Sequence, residues 1–170
     1  MSVDKDHKQV LILMGSDSDL PSMREAAEAL DRMGITFAMH VASAHRTPDR
    51  VAKLAQGARE RGFGVIIAGA GMAAHLAGVV ASHTVLPVIG VPLVSGYMAG
   101  ADALFSTIQM PRGIPVATVG IGPAGSYNAG LLAASILAVT DPEIAERISA
   151  YRKELASKVE AKDAILQESL

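Results

Sequence analysis

The segment "QVLILMGSDSDLPSM", Gln9–Met23, changes period in its middle. From Val10 to Met14 every residue is apolar, which marks a strand covered on both faces. Gly15 breaks the run, and Ser16, Asp17, Ser18 and Asp19 supply the short polar side chains that open helices. Beyond them Leu20, Met23, Ala26, Ala27, Leu30 and Met33 recur at helical spacing until Gly34 stops the pattern. A buried strand handed straight to an amphipathic helix is half of a βαβ unit, and repetition of the pattern implies a parallel sheet.

The pattern repeats. "TFAMHV" (Thr36–Val41), "VIIAGA" (Val65–Ala70), "PVIGV" (Pro87–Val91) and "PVATVGI" (Pro115–Ile121) are further strand candidates. Helical patterns lie between them: Pro48–Arg61 ended by Gly62, then Ala73–Ser82, Ala101–Gln109 and Ser126–Val139. The expectation is an α/β fold, a three-layer α/β/α sandwich with a parallel, flavodoxin-like sheet and right-handed crossovers. Residues 1–170 form a single domain on this reading, with a core over about 8–140 and a C-terminal helix over about 141–166. That helix opens on Asp141 as N-cap and Pro142 in the first turn. Its apolar positions Ile144, Ile148, Tyr151, Leu155 and Val159 form one narrow stripe. The stripe can pack on its own domain or on a neighbouring subunit, and the second is expected because the chain carries surplus uncharged surface.

Charge is distributed unevenly. The net charge is −2, so nothing global attracts nucleic acid or an anionic membrane, and any anion site must be local. No Asp, Glu, Lys or Arg occurs from Gly62 to Ala101 or from Gly113 to Thr140. Glycines, prolines and histidines interrupt the first window every few residues, which excludes a spanning helix. The start, "MSVDKDHKQV", is charged and lacks the apolar run of a secretory signal. With no cysteine in the chain, a reducing, cytoplasmic setting is expected.

Ligands of such folds bind at the carboxyl ends of the strands, and four ends stand out. After the first comes Gly15, then Ser16, Asp17, Ser18 and Asp19, a turn suited to a phosphate through backbone N–H groups and hydroxyls. After the second comes "SAHRTPDR", with Ser43, Ala44, His45, Arg46 and Thr47. After the third, "GAGMAAHLAG" holds Gly71, Ala73, Ala74, His75 and Leu76. The fourth is "GIGPAGSYNAG" after strand five. One corner thus gathers an anion-binding turn, an Arg, an Asp able to bind sugar hydroxyls, and a His that titrates near neutrality. His40, His45, His75 and His83 lack metal-ligand spacing, so no metal is expected, and no G-x-S-x-G elbow appears.

In order along the chain, "MGSDSDLPSM", "VASAHRTPDR", "VIIAGAGMAAHLAG", "TIQMPRGIPVATVGIG" and "NAGLLAASILA" resemble the class I N5-carboxyaminoimidazole ribonucleotide mutase family of purine biosynthesis. The resemblance covers about Val10 to Arg152. It implies transfer of a carboxyl group from the exocyclic amine of an aminoimidazole ribonucleotide to ring carbon 4, with no cofactor. It implies His45 as the acid–base residue and Ser16, Asp17, Ser18, Asp19, Ser43, Ala44 and Arg46 around the ribonucleotide. It further implies His75 and Leu76 beside the reacting ring, and Gly71, Ala73 and Ala74 as a close, dry wall around carbon dioxide. A homo-octamer is implied, with the "QMPRG" loop (Gln109–Gly113) reaching a neighbour's site, as is a functional link to an ATP-dependent synthetase. The chain departs from the family's usual glycine at Met72 and its usual proline at Ala77, and "AGAD" (Ala99–Asp102) looks like the class II relatives. The alternatives are therefore direct carboxylation of aminoimidazole ribonucleotide with carbon dioxide, a carboxylase of a pyridinium nucleotide, and a flavodoxin-like module that only binds a nucleotide or flavin.

Overall fold

The computed structural model describes residues 9–170; residues 1–8, which make up most of the charged start, lie outside it. Five strands and six helices alternate: β1 (Val10–Met14), α1 (Leu20–Arg32), β2 (Phe37–Val41), α2 (Pro48–Gln56), β3 (Val65–Gly71), α3 (Leu76–Ser82), β4 (Val88–Leu93), α4 (Ala101–Ile108), β5 (Ala117–Thr118), α5 (Gly122–Leu137) and α6 (Pro142–Glu168). The strands are all parallel, in the order β2-β1-β3-β4-β5. This is the expected flavodoxin-like sheet.

The uninterrupted apolar runs divide by the period of two that every strand imposes. Val10, Ile12 and Met14 of β1 join Val65 and Ile67 of β3 in one core, under Met23, Ala26 and Leu30 of α1 and Ala129, Ala133 and Ala134 of α5. Leu11 and Leu13 join Ile66 and Ala68 in the other, under Val51 and Ala55 of α2 and Leu76, Ala77 and Val80 of α3. Both faces of β1 and of the first five residues of β3 are therefore buried. Burying two faces explains why those strands carry no polar alternation.

Several boundaries differ from the sequence expectation. Helix α2 stops at Gln56 rather than Arg61, because Arg61 itself closes the helix end. Its Nε donates to the Gly57 carbonyl (3.0 Å) and its Nη2 to that of Leu54 (2.7 Å), an acceptor that a longer helix would have given to the Ala58 N–H, which bonds the Ala55 carbonyl instead (3.3 Å). Strand β5 pairs over two residues only. Helix α3 begins at Leu76 rather than Ala73, while α5 begins four residues before Ser126, at Gly122. Ala77 is the second residue of α3, where the backbone N–H has no helical partner, so replacing a proline there forfeits no helix bond.

Asp141 caps α6 as expected, its Oδ1 accepting from the N–H groups of Glu143 (3.0 Å) and Ile144 (3.3 Å). The stripe on α6 divides. Ile144, Ile148 and Tyr151 pack on the domain's own core, whereas Leu155 and Val159 stay 42% and 67% exposed. The changeover is marked by Arg32 of α1, which stacks 4.6 Å over the Tyr151 ring and pairs with Glu154, itself bonded to Lys158 (2.6 Å). Among the described residues no helix is long and apolar enough to cross a membrane.

Candidate active site

A cleft of about 520 Å³ opens at the carboxyl ends of β1, β2, β3 and β4, around the β1/β3 switch point. At that point consecutive connections leave on opposite faces of the sheet, so the backbone diverges and leaves room for a ligand.

The first wall is the turn after β1. Residues Asp17–Asp19 form a single 3₁₀ turn capped by Ser16. Ser16 Oγ accepts from the Ser18 N–H (3.3 Å) and from Ser18 Oγ (2.9 Å), and the Ser16 N–H donates to Asp19 Oδ2 (3.0 Å). This reciprocal box holds the turn's hydroxyls at the mouth. Burial pushes the Asp19 carboxyl above the usual carboxylate range, against the Ser16 and Gly15 amides and the Arg46 guanidinium, which favour its charge.

The second wall is the turn after β2. Ser43 and Thr47 brace each other: the Ser43 N–H donates to Thr47 Oγ1 (3.0 Å), whose hydroxyl donates to the Ser43 carbonyl (3.1 Å). Arg46 is anchored by its N–H to Ser43 Oγ (3.2 Å) and by Nη2 to the Gly15 carbonyl (2.9 Å). One guanidinium thus ties the two turns together and sets a fixed positive charge in a chain of net charge −2.

The third wall is the turn after β3. His75 precedes α3, and its Nδ1 lies 2.7 Å from His45 Nε2. The rings meet edge to face, with centroids 4.9 Å apart and planes at 81°. Two imidazoles joined nitrogen to nitrogen share one hydrogen; were both fully protonated, two N–H groups would oppose each other. Either ring can be the donor or the acceptor in this contact, which suits a group that must donate and accept in turn. Next to it Gly71 approaches β4 so closely that a Cβ there would lie 2.5 Å from Ser95 Cβ.

Among the expected site residues, Ser16, Ser18, Asp19, Ser43, Ala44, His45, Arg46, Gly71, Ala73, His75 and Leu76 line the cleft. Asp17 and Ala74 do not: Asp17 is exposed beside Ser16, and Ala74 is buried. The fourth end also differs. It belongs to β4 and brings Ser95, while the glycine-rich turn after β5 lies outside the cleft lining. Ser95 carries no charge and sits in no recognisable motif, so only its position directly after a strand could have marked it. A second, mostly apolar hollow of about 330 Å³ lies beside the same His pair and is lined in part by Gly78, Val79, Ser106 and Met110. Met110 of the "QMPRG" loop thus sits near its own chain's histidines, while Pro111, Arg112 and Gly113 are exposed. Among the described residues no three of His, Asp and Glu converge as a metal site. His40, on β2 outside the cleft, is pushed down by burial and by Arg50 and Arg61.

Known proteins similar to this chain share its fold and much of its sequence. The N5-carboxyaminoimidazole ribonucleotide mutase of Thermotoga maritima is 56% identical over 151 residues, covering 89% of this chain and 87% of that protein. The enzyme of the same name from Pyrococcus horikoshii is 52% identical over 168 residues, covering 99% and 94%. The crystal structure of Treponema denticola PurE superposes with a TM-score of 0.84 at 34% identity, over 94% of this chain and 98% of that one. The AIR carboxylase family model matches residues 9–158, and the chain belongs to that family.

Proposed function

We propose that this chain converts N5-carboxyaminoimidazole ribonucleotide to 4-carboxy-5-aminoimidazole ribonucleotide in de novo purine biosynthesis. The observation that carries the reading is the His45–His75 pair set beside an anion-binding corner in one cleft. The chemistry runs in two halves. The carbamate N–C bond breaks and leaves its electron pair on the exocyclic nitrogen, which takes a proton from His45. Carbon 4 of the ring then attacks the released carbon dioxide, and the proton it carried returns to the same imidazole. Atoms and charge balance, the enzyme ends as it began, and neither an oxidant nor a cofactor enters.

The remaining residues bind and orient. Ser16, Ser18, Ser43 and Arg46 hold the phosphate end, where hydroxyls and a fixed cation converge. Asp19 accepts from ribose hydroxyls, and Gly71 and Ala73 let the ring lie close to backbone. Substrate choice tests the reading. Purified protein given N5-carboxyaminoimidazole ribonucleotide is expected to form the 4-carboxy product without added bicarbonate. If it instead acts only on aminoimidazole ribonucleotide plus bicarbonate, the direct carboxylase is the correct assignment.

The protein works in the cytoplasm as a homo-octamer on this proposal, receiving its substrate from an ATP-dependent synthetase. Support for assembly comes from apolar side chains left uncovered in the single chain: Val94, Tyr97, Met98, Phe105 and Ile108 around β4 and α4, and Leu155, Val159, Ile165 and Leu166 along α6. Large exposed apolar patches mark interfaces, and closed symmetry is the usual outcome. Pro111–Gly113 of the "QMPRG" loop are exposed, which leaves them free to reach a neighbour in such an assembly. Light scattering at micromolar concentration is expected to give about eight times the chain mass; a value near 17.6 kDa rules the assembly out.

A further inference from the structure

We propose that Thr47 is the positioning residue that sets the reach of His45 toward His75, an inference that rests on the mutase reading above. Thr47 stands at the N-cap of α2, with Pro48 next, yet its side chain makes no capping bond to the helix. Threonine at that position ordinarily offers its hydroxyl oxygen to the N–H groups of the first turn, and losing such a cap weakens a helix. Here the hydroxyl is turned the other way, across the loop. Its Oγ1 accepts from the Ser43 N–H (3.0 Å) and donates to the Ser43 carbonyl (3.1 Å), while the Thr47 N–H donates to that same carbonyl (2.9 Å). A residue that sets aside a local preference in this way points to a demand from the site.

These bonds close the loop around Ala44, His45 and Arg46, and the two charged or titratable residues inside it are held unequally. Arg46 has anchors of its own, with its N–H on Ser43 Oγ (3.2 Å) and its Nη2 on the Gly15 carbonyl (2.9 Å). His45 has one hydrogen-bonding contact among the described residues, the 2.7 Å approach of its Nε2 to His75. Its placement therefore depends on the path of the loop, not on a partner behind the imidazole. Thr47 can fix that path because its own carbonyl accepts the first bond of α2, from the Val51 N–H (3.2 Å), and Val51 and Ala55 seat α2 in the core. Support thus passes from the core through α2 and Thr47 to Ser43 and His45. A reacting group displaced by about 1 Å can lose on the order of 10²-fold in rate. A hydroxyl outside the cleft lining can in this way govern turnover without touching substrate.

Steady-state kinetics of Thr47→Val, Thr47→Ser and the double variant Thr47→Val/His45→Asn test the assignment, with ribonucleotide affinity read by direct titration. Thr47→Val keeps the shape, removes the hydroxyl and should remain folded, since the side chain is exposed. It is expected to lower kcat roughly 10- to 100-fold, with affinity near the wild-type value because both anchors of Arg46 remain. Thr47→Ser restores the hydroxyl and should recover most of kcat. In the His45→Asn background Thr47→Val should cost little more, since residues acting as one unit are not additive. Wild-type kcat in Thr47→Val overturns the proposal, and so does an equal loss in Thr47→Val and Thr47→Ser. A loss that adds in full to that of His45→Asn, or one carried by affinity alone, overturns it as well, because Thr47 then serves the fold or the phosphate end. If the wild type uses only aminoimidazole ribonucleotide with bicarbonate, the mutase reading falls, and the same variants decide the role of Thr47 on that reaction.

Discussion

His45→Asn is expected to lower turnover roughly 10²- to 10⁴-fold, the span over which a positioned acid–base group acts. Ribonucleotide affinity should hardly change. The substitution keeps a side chain near His75 but removes the only group proposed to give a proton to the leaving nitrogen and later take one from carbon 4. Arg46→Ala should show the opposite bias. Losing a charge-assisted contact of about 1.5–3 kcal/mol weakens binding roughly 10- to 100-fold, with a smaller effect on the chemical step. The comparison is made by steady-state kinetics with direct titration of the ribonucleotide. If His45→Asn keeps near-normal turnover, His45 is not the proton carrier. If Arg46→Ala binds as well as the wild type, the guanidinium is a brace between two turns and no more.

The second large effect lies away from the chemistry. Gly125 sits in the first turn of α5, and a Cβ there would lie 1.6 Å from the Gly120 carbonyl oxygen, far closer than any non-bonded contact allows. Backbone cannot step aside as a flexible side chain can. Gly125→Ala should therefore destabilise the fold by more than about 4 kcal/mol, in the exceptional range for a single substitution. That corresponds to a melting temperature roughly 10 °C lower for a domain of this size. Gly120→Ala is the matched control, since its new Cβ would meet only Gly125 Cα at 3.9 Å. Thermal denaturation of the pair decides the matter: a Gly125→Ala protein melting within a degree or two of Gly120→Ala would contradict the packing described for this turn.

These two sites also divide what was legible in the sequence from what was not. The β1–α1 unit could be read because its cues are local: continuous apolar residues, then Gly15, then a Ser–Asp capping cluster. The His45–Arg46 corner could be read because charged and titratable side chains stand out in an apolar chain. The glycine-rich turn after β5 resembles a ligand loop by composition, yet Gly122 supplies a positive φ and Gly125 a tight backbone contact, both outside the cleft. Ser95 was hidden for the converse reason: it reaches the cleft through the register of β4 against β3, which no local pattern records. The early end of α2 depends on the Arg61 side chain folding back on two carbonyls, a long-stem contact that periodicity does not see. The strain at Met72 is a backbone angle, invisible in a list of residue types. The stripe on α6 was visible, but not its division between a part packed on the core and a part left for a partner.

On the proposed mechanism one cleft breaks and remakes a carboxyl linkage on the same ribonucleotide, with His45 passing the proton both ways. Its most direct measurement is a single-turnover experiment with substrate labelled by ¹³C in the N-carboxyl group, in unlabelled bicarbonate. The label is expected on the carboxyl group at ring carbon 4 of the product at nearly its starting enrichment, appearing at the rate of substrate loss. Release of the label to solution, followed by product at the bulk isotope ratio, would contradict it.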